Sequence, residues 1–457
     1  MVSSTDNKQM HLFAMPMGSG AHVASWRHPL ASGRAALSPA HYLEIGRIAE
    51  RGLFDAVFFA DAQGYRAMPG RDAFSRLSSL SIDPVTMLGS LAMATSRVGL
   101  VATLSTSYNE PFSVARRMAT LDFMSGGRAG WNVVTAQSEN EAHNFGREAH
   151  YGHDERYARA SEFVDVARGL WDTWADDAVV MDREDGRFFD PDKVNALRHE
   201  GDFFKVEGPL TTGRPPQGHP VVVQAGSSPQ GLDLAARQAD AVFTSHPMRE
   251  SAVAFYNDLK ARVVAAGRPA DSLRILTAIQ PTVAETEAEA KAIAQELNEL
   301  IHPDVALAQL SMQFGGFDFS PYDLDGPLPH VPDNIVSRGS QQRIVEYAAK
   351  EGLSLVQIAR YVAAGRTSHT IAGTGAQVAD LLADWFAAGA ADGFVIAAPI
   401  SPVMFERFVD LVVPELQKRG LFRTEYAGET LRDHLGLERP AAHQTGIEPE
   451  IWQQPRA

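Results

Sequence analysis

The sequence predicts a (β/α)8 TIM barrel of the α/β class, with a long helical insertion before the last strand. Three observations carry this. Short β-rich runs alternate with longer helical patterns along the chain, which implies a parallel sheet covered by helices. Eight such runs occur, a number that favours a closed barrel over an open doubly wound sheet. More than 100 residues separate the seventh run, "RILTAIQP", from the eighth, "DGFVIAAP", too many for one crossover helix.

The elements follow in order. "HLFAM" (His11 to Met15) is the first strand, and a loop rich in Gly, His and Pro runs from Pro16 to Ser38. Ser38 caps the next helix, Pro39 suits its first turn, and Leu43, Ile48 and Leu53 supply its buried stripe. "DAVFFAD" is the second strand and Asp83-Pro84 opens the second helix. "RVGLVATLSTS" is the third strand; "PFSVARRMATLDFMSGG" is a helix closed by Gly126-Gly127. "RAGWNVVT" is the fourth. A helix from about Asp154 to Ala175 precedes "PVVVQA", a helix after "GSSPQG" precedes "AVFTS", and "RILTAIQP" and "DGFVIAAP" complete the eight. The whole of 1–457 reads as a single domain, with the insertion at about 285–390 and an extended tail at about 437–457. An insertion on a barrel mouth commonly serves as lid or interface.

Composition narrows the function. The chain is 45% hydrophobic and 21% charged, as expected of a globular protein, and its formal net charge is −15. A broad acidic surface repels phosphate backbones and anionic lipid, so neither nucleic acid nor membrane is an expected partner. With no cysteine, disulfides, thiolate nucleophiles and zinc–thiolate sites are excluded. The N-terminus lacks a charged-then-apolar secretion pattern and no run approaches the ~20 apolar residues of a membrane helix, so a cytoplasmic location is expected.

Several residues stand where barrel enzymes keep their chemistry, at the C-terminal ends of strands. Side chains alternate along a strand, so Arg128, Gly130, Asn132 and Val134 share one face of the fourth strand. Asn132 is an amide in an apolar run; it bonds either a neighbouring side chain or water, or a bound heterocycle. Asp61 ends the second strand on the face of Val57 and Phe59, as ligand contact or as cap. Thr106 and Ser107 end the third in hydroxyls that also suit a turn. Gly226, Ser227 and Ser228 lead into Pro229 and a helix, a phosphate-binding arrangement or a plain N-cap. His153 and Tyr157, four residues apart, share a helix face. The spacing of His150, His153 and Asp154 matches no helical ligand pair, and no metal is expected. His22 and Arg27 lie in the first mouth loop, while Phe13, Phe59 and Phe243 sit on strands that aim into the mouth.

Taken together, "GGRAGWNVVT…NFG", "FFAD", "STSYNEPFSVARRMATLD", "GHDERYARASEFVDVARGLWDTW", "PQGHPVVVQAGSSPQG" and "FVDLVVPELQKRGLFRTEYAGETLRDHLGL" resemble the nitrilotriacetate, EDTA and dibenzothiophene-sulfone monooxygenase group of the bacterial-luciferase-like flavin monooxygenases. The resemblance spans nearly the whole chain; one departure is Gly375-Ala376, where relatives commonly carry Pro-Glu.

The resemblance implies a barrel enzyme that takes FMN as FMNH2 from a separate flavin reductase. Through a peroxyflavin it would put one oxygen atom of dioxygen into a small organic substrate, an aromatic sulfone or other organosulfur compound or an aminopolycarboxylate. It implies that Asp61, Thr106, Ser107 and Asn132 line the isoalloxazine, that His153 and Tyr157 contact the flavin or its ribityl phosphate, and that Gly226, Ser227 and Ser228 cradle the phosphate. His22 is the expected catalytic residue, and Phe13, Phe59 and Phe243 the expected substrate wall. A homodimer or homotetramer is the family expectation. The alternatives are a deazaflavin-dependent hydride-transfer enzyme and a non-catalytic flavin-binding protein.

Overall fold

The computed structural model describes residues 8–32, 34–65, 70–78, 80–136, 138–331, 340–365 and 368–442. Eight parallel strands close into a barrel: β1 (His11–Ala14), β2 (Ala56–Phe59), β3 (Gly99–Ser105), β4 (Ala129–Val134), β5 (Val221–Gln224), β6 (Ala241–Thr244), β7 (Arg274–Val283) and β8 (Gly393–Ile396). Each pairs in parallel with its neighbours in chain order, and β8 returns to β1 with Phe13 opposite Val395.

The helices begin where their caps dictate. Ser38 accepts from the His41 N–H ahead of α1 (Pro39–Arg51), and Asp83 from the Thr86 N–H ahead of α2 (Pro84–Ala94). In α3 (Pro111–Ser125) the chain exits through Gly126 and Gly127, both at positive φ. α4 (His153–Trp171) and α5 (Pro229–Gln238) flank the fifth strand.

Burial separates two layers. Leu12, Val57, Leu100, Trp131 and Val222 point outward into the helices, whereas Phe13, Phe58, Val101, Val223, Leu276 and Val395 fill the axis. The bottom of the barrel is stoppered by Leu431 and Leu435, both fully buried among the axial residues. There one device recurs three times. Asp55, Asp240 and Asp392 each stand one residue before a strand and accept a backbone N–H from the neighbouring strand: Leu12 at 2.7 Å, Val222 at 2.8 Å and Ile275 at 3.0 Å. Arg423, Arg432 (2.9 Å) and Lys260 (2.9 Å) respectively neutralise them.

Three features depart from the sequence reading. β7 runs on to Val283, and beyond Ile279 it leaves β8 to pair with a ninth strand, His369–Gly373. Two antiparallel hairpins lie between α4 and β5 (Val179–Asp182 with Arg187–Phe189, His199–Glu200 with Lys205–Val206). The first has every residue of its leading strand exposed, so no hydrophobic alternation announces it; its Asp185-Gly186 turn, with Gly186 at φ 70°, does.

The insertion after β7 builds its own apolar cluster. Helices Glu287–Glu299, Pro303–Gln313, Ser340–Glu351 and Leu355–Gly365 occupy it, and Val305, Leu310, Phe314, Phe319 and Ile358 form a core shared with Val23 and Ala24 of the loop after β1. Helix Gly375–Ala387, within the range expected for the insertion, instead packs in the outer layer of the barrel. Residues 443–457 of the expected tail lie outside the described residues.

Candidate active site

The mouth is built around β3 and β4. Alternation puts Trp131 outward, where its Nε1–H donates to the Leu104 carbonyl at 3.1 Å, and Asn132 inward. Asn132 is 3% exposed, and its Nδ2 donates to the Thr103 hydroxyl, also inward, at 2.9 Å. Its Oδ1 has no hydrogen-bond partner among the described residues. An orphaned buried acceptor costs about 1–3 kcal/mol. Such an atom fits a ligand that presents an N–H to the barrel axis.

The hydroxyls beyond β3 are engaged locally. Thr106 Oγ1 donates to the Val134 carbonyl at 3.2 Å and Ser107 Oγ to the Thr135 carbonyl at 2.6 Å. They tie the end of β3 to the end of β4 and keep lone pairs to offer. Next to them Tyr108 stacks on Phe145 at 5.0 Å and meets His150 Nδ1, while His150 Nε2 accepts from Arg156 at 3.0 Å. His150 therefore belongs to this aromatic rim.

Asp61 lies two residues past the end of β2, half-buried. Ser81 donates to it at 3.4 Å, and desolvation, with a contribution from nearby Asp83 and Glu141, pushes its carboxyl up to about 6. Glu141, 4% exposed, accepts the Gln63 N–H at 3.1 Å, so the short helix Glu139–Asn144 braces the loop that carries Asp61.

The glycine–serine turn and the start of α4 converge. Ser228 caps α5 by accepting from the Gly231 N–H at 3.2 Å. A Cβ on Gly226 would lie 2.4 Å from Gln224 Nε2 and 2.9 Å from Tyr157 Oη, so only a glycine lets the turn approach the phenol this closely. His153 packs against Tyr157 with ring centroids 5.0 Å apart, and Gln230 donates to Asp154 at 2.9 Å. Two helix N-termini and a phenol thus meet at the glycine–serine turn, an arrangement that suits a phosphate monoester. This turn and the orphaned amide oxygen together fit a flavin mononucleotide.

The other expected residues divide. Phe13 and Phe243 face the axis, and Phe243 meets Phe58 at 5.6 Å. Phe59 does not: it packs outward on Tyr42 of α1 at 5.3 Å. The correction is one of parity. All four residues of β2 are buried, and a strand buried on both faces shows no alternation from which to choose the inner one. Phe58 and Thr103 are among the inward residues that sequence reasoning missed. His22, 5% exposed, accepts the Ala24 N–H at Nδ1 (3.2 Å) and meets Asn298 Oδ1 through Nε2 at 3.3 Å. Arg27 reaches the Leu300 carbonyl, and His28 meets Glu296 at 3.3 Å. These contacts stitch the first mouth loop to the insertion.

Comparison with known proteins agrees with this geometry. The luciferase-like monooxygenase family matches residues 16–392. Nitrilotriacetate monooxygenase component A of Aminobacter aminovorans is 45% identical over 442 residues, covering 95% of this chain and 98% of that protein. N-acetyl-S-(2-succino)cysteine monooxygenase of Bacillus subtilis (strain 168) is 44% identical over 440 residues, covering 96% and 98%. Among solved structures, DmoA from Hyphomicrobium sulfonivorans superposes with a TM-score of 0.85 at 30% identity, covering 96% of this chain and 95% of that one. The chain belongs to the luciferase-like family of flavin-dependent monooxygenases.

Proposed function

We propose that this chain is the oxygenase component of a two-component system. It takes FMN in its reduced form from a separate flavin reductase and inserts one atom of dioxygen into a small organic substrate. The observation that carries the reading is the orphaned Oδ1 of Asn132, buried on the axis at the level of the mouth. The relatives named as component A and as monooxygenases support it.

Bound reduced flavin supplies the electrons and, with dioxygen, the oxygen atom that enters the substrate. The chain's own residues bind, orient and shield. Asn132 and Asp61 hold the ring edge, with Thr106 and Ser107 beside them. Gly226, Ser227, Ser228 and Tyr157 hold the phosphate, and His153 backs Tyr157. Phe13, Phe58 and Phe243 keep water from the reacting face. Both ring nitrogens of His22 meet protein groups, so its role is to position the loop over the mouth. The same reading places a homo-oligomer in the cytoplasm; among the described residues no helix is long and apolar enough to cross a membrane.

The test is dioxygen uptake by the purified protein with FMN, NADH and an unrelated flavin reductase, against a panel of dibenzothiophene sulfone, nitrilotriacetate and a long-chain ketone. One compound is expected to gain oxygen and to lower hydrogen peroxide release. Failure to bind FMN would overturn the reading.

A further inference from the structure

The mouth has two unlike halves. On the β3–β4 side the inward positions are polar, with Thr103, Ser105 and Asn132. Across the barrel, β7 stands four strands from β3. Its outward residues are Ile275, Ile279 and Val283; its inward residues are Leu276, Ala278 and then Gln280. Gln280 is 5% exposed, and its carboxamide has no hydrogen-bond partner among the described residues. It is the first inward residue above the point where β7 leaves β8, since Ile279 is the last to pair with Ile396. Its inward neighbours on this half are Phe243, Ala278, Val395 and Ala397. From the Phe58–Phe243 contact upward, no Lys or Arg occupies an inward strand position of β1, β6, β7 or β8.

We infer that Gln280 is the specificity-determining polar group of the substrate half. It donates from Nε2 to one oxygen of an uncharged, mainly apolar substrate, of the sulfone, sulfoxide or ketone kind. The inference rests on the flavin occupying the β2–β5 half. A primary amide that bonds no protein group among the described residues and keeps its polar atoms open is set up for one acceptor. A polycarboxylate would bury several negative charges against inward strand positions that carry no cation. Phe58 and Phe243 supply flat apolar surface for an aromatic or alkyl body.

The experiment uses the full chain with reductase and compares wild type with Gln280→Leu and Gln280→Glu on the panel above. FMN affinity is measured separately by fluorescence titration. Wild type is expected to oxygenate the sulfone or the ketone and to leave nitrilotriacetate untouched. Gln280→Leu is expected to raise KM for that compound about tenfold, with kcat and FMN affinity within twofold, because one hydrogen bond is lost without disturbing the ring site. Gln280→Glu is expected to raise KM further, since it replaces a donor by a negative acceptor. An unchanged KM in Gln280→Leu, or efficient turnover of nitrilotriacetate, overturns the inference while leaving the flavin reading intact. So does tight FMN binding with no panel compound oxidised. Loss of FMN binding by wild type would instead remove the flavin reading on which the inference rests.

Discussion

The strand-end aspartates at the bottom of this barrel and the polar side chains at its mouth are treated differently. At the bottom, Asp55, Asp240 and Asp392 are 0%, 7% and 1% exposed, yet each is matched by a backbone N–H and by a cation. At the mouth, Asn132 Oδ1 and the Gln280 carboxamide have no hydrogen-bond partner among the described residues, and Asp61 sits desolvated with no ion pair among them. A fold that pairs these three strand-end carboxylates with cations at one end and leaves the Asn132 oxygen open on the axis at the other reserves the second end for something that brings partners. The bottom holds the barrel shut; the mouth waits for a ligand.

Breaking the bottom should therefore unfold the protein and spare the ligand. Asp55→Ala leaves Arg423 and His11 without their counter-ion and the Leu12 N–H without its acceptor, with an expected loss of about 3–5 kcal/mol in urea unfolding. The pH dependence has a definite sign. Arg423 and His11, against the burial penalty, hold the Asp55 carboxyl down at about 2, below its ordinary value of 3.8. Its contribution is thus present above pH ~4 and lost as pH falls towards 2, and the variant should lack that acid-sensitive component. Leu431→Ala opens the stopper and should cost about 2–4 kcal/mol, again with flavin affinity unchanged in the fraction that is folded.

Breaking the mouth should do the reverse. Ser228→Ala removes a cap and one proposed phosphate ligand. A loss of about 1 kcal/mol in unfolding is expected, together with a several-fold fall in FMN affinity and none in riboflavin affinity. Equal losses for both flavins would move the phosphate elsewhere. Asp61→Asn sharpens the comparison with the smallest effect. Because burial raises the Asp61 pKa to about 6, stability is full below pH ~4 and falls as pH rises through 6. The amide should make the ligand-free protein slightly more stable at pH 8, by about 1 kcal/mol after solvent screening, and flatten that pH profile.

The same contrast explains what was legible in the sequence. The eight strands were visible because each is a short apolar run fenced by helix caps such as Ser38-Pro39 and Asp83-Pro84. Asn132 was visible because an amide in such a run is an anomaly, and the Gly226–Ser228 turn because it ends a strand and opens a helix. Phe58 was not, because a strand buried on both faces hides its parity. Gln280 was not, because its orientation depends on β7 outrunning β8, which only the pairing reveals. The bottom device had a sequence trace in "DAVF" at Asp55 and again at Asp240, and in "DGFV" at Asp392, but its cations come from segments remote in the chain.

The most direct test is an anaerobic titration of wild type and Asn132→Leu with reduced FMN, paired with urea unfolding of both ligand-free proteins. The prediction is at least a tenfold loss of flavin affinity in the variant, with unfolding free energy within about 1 kcal/mol of wild type, because the removed oxygen has no partner among the described residues and only the Nδ2 bond to Thr103 is lost. Unchanged flavin affinity, or a large loss of stability without one of affinity, would show that Asn132 serves the barrel and not the ligand, and would contradict the division of the molecule into a closed end and a receptive one.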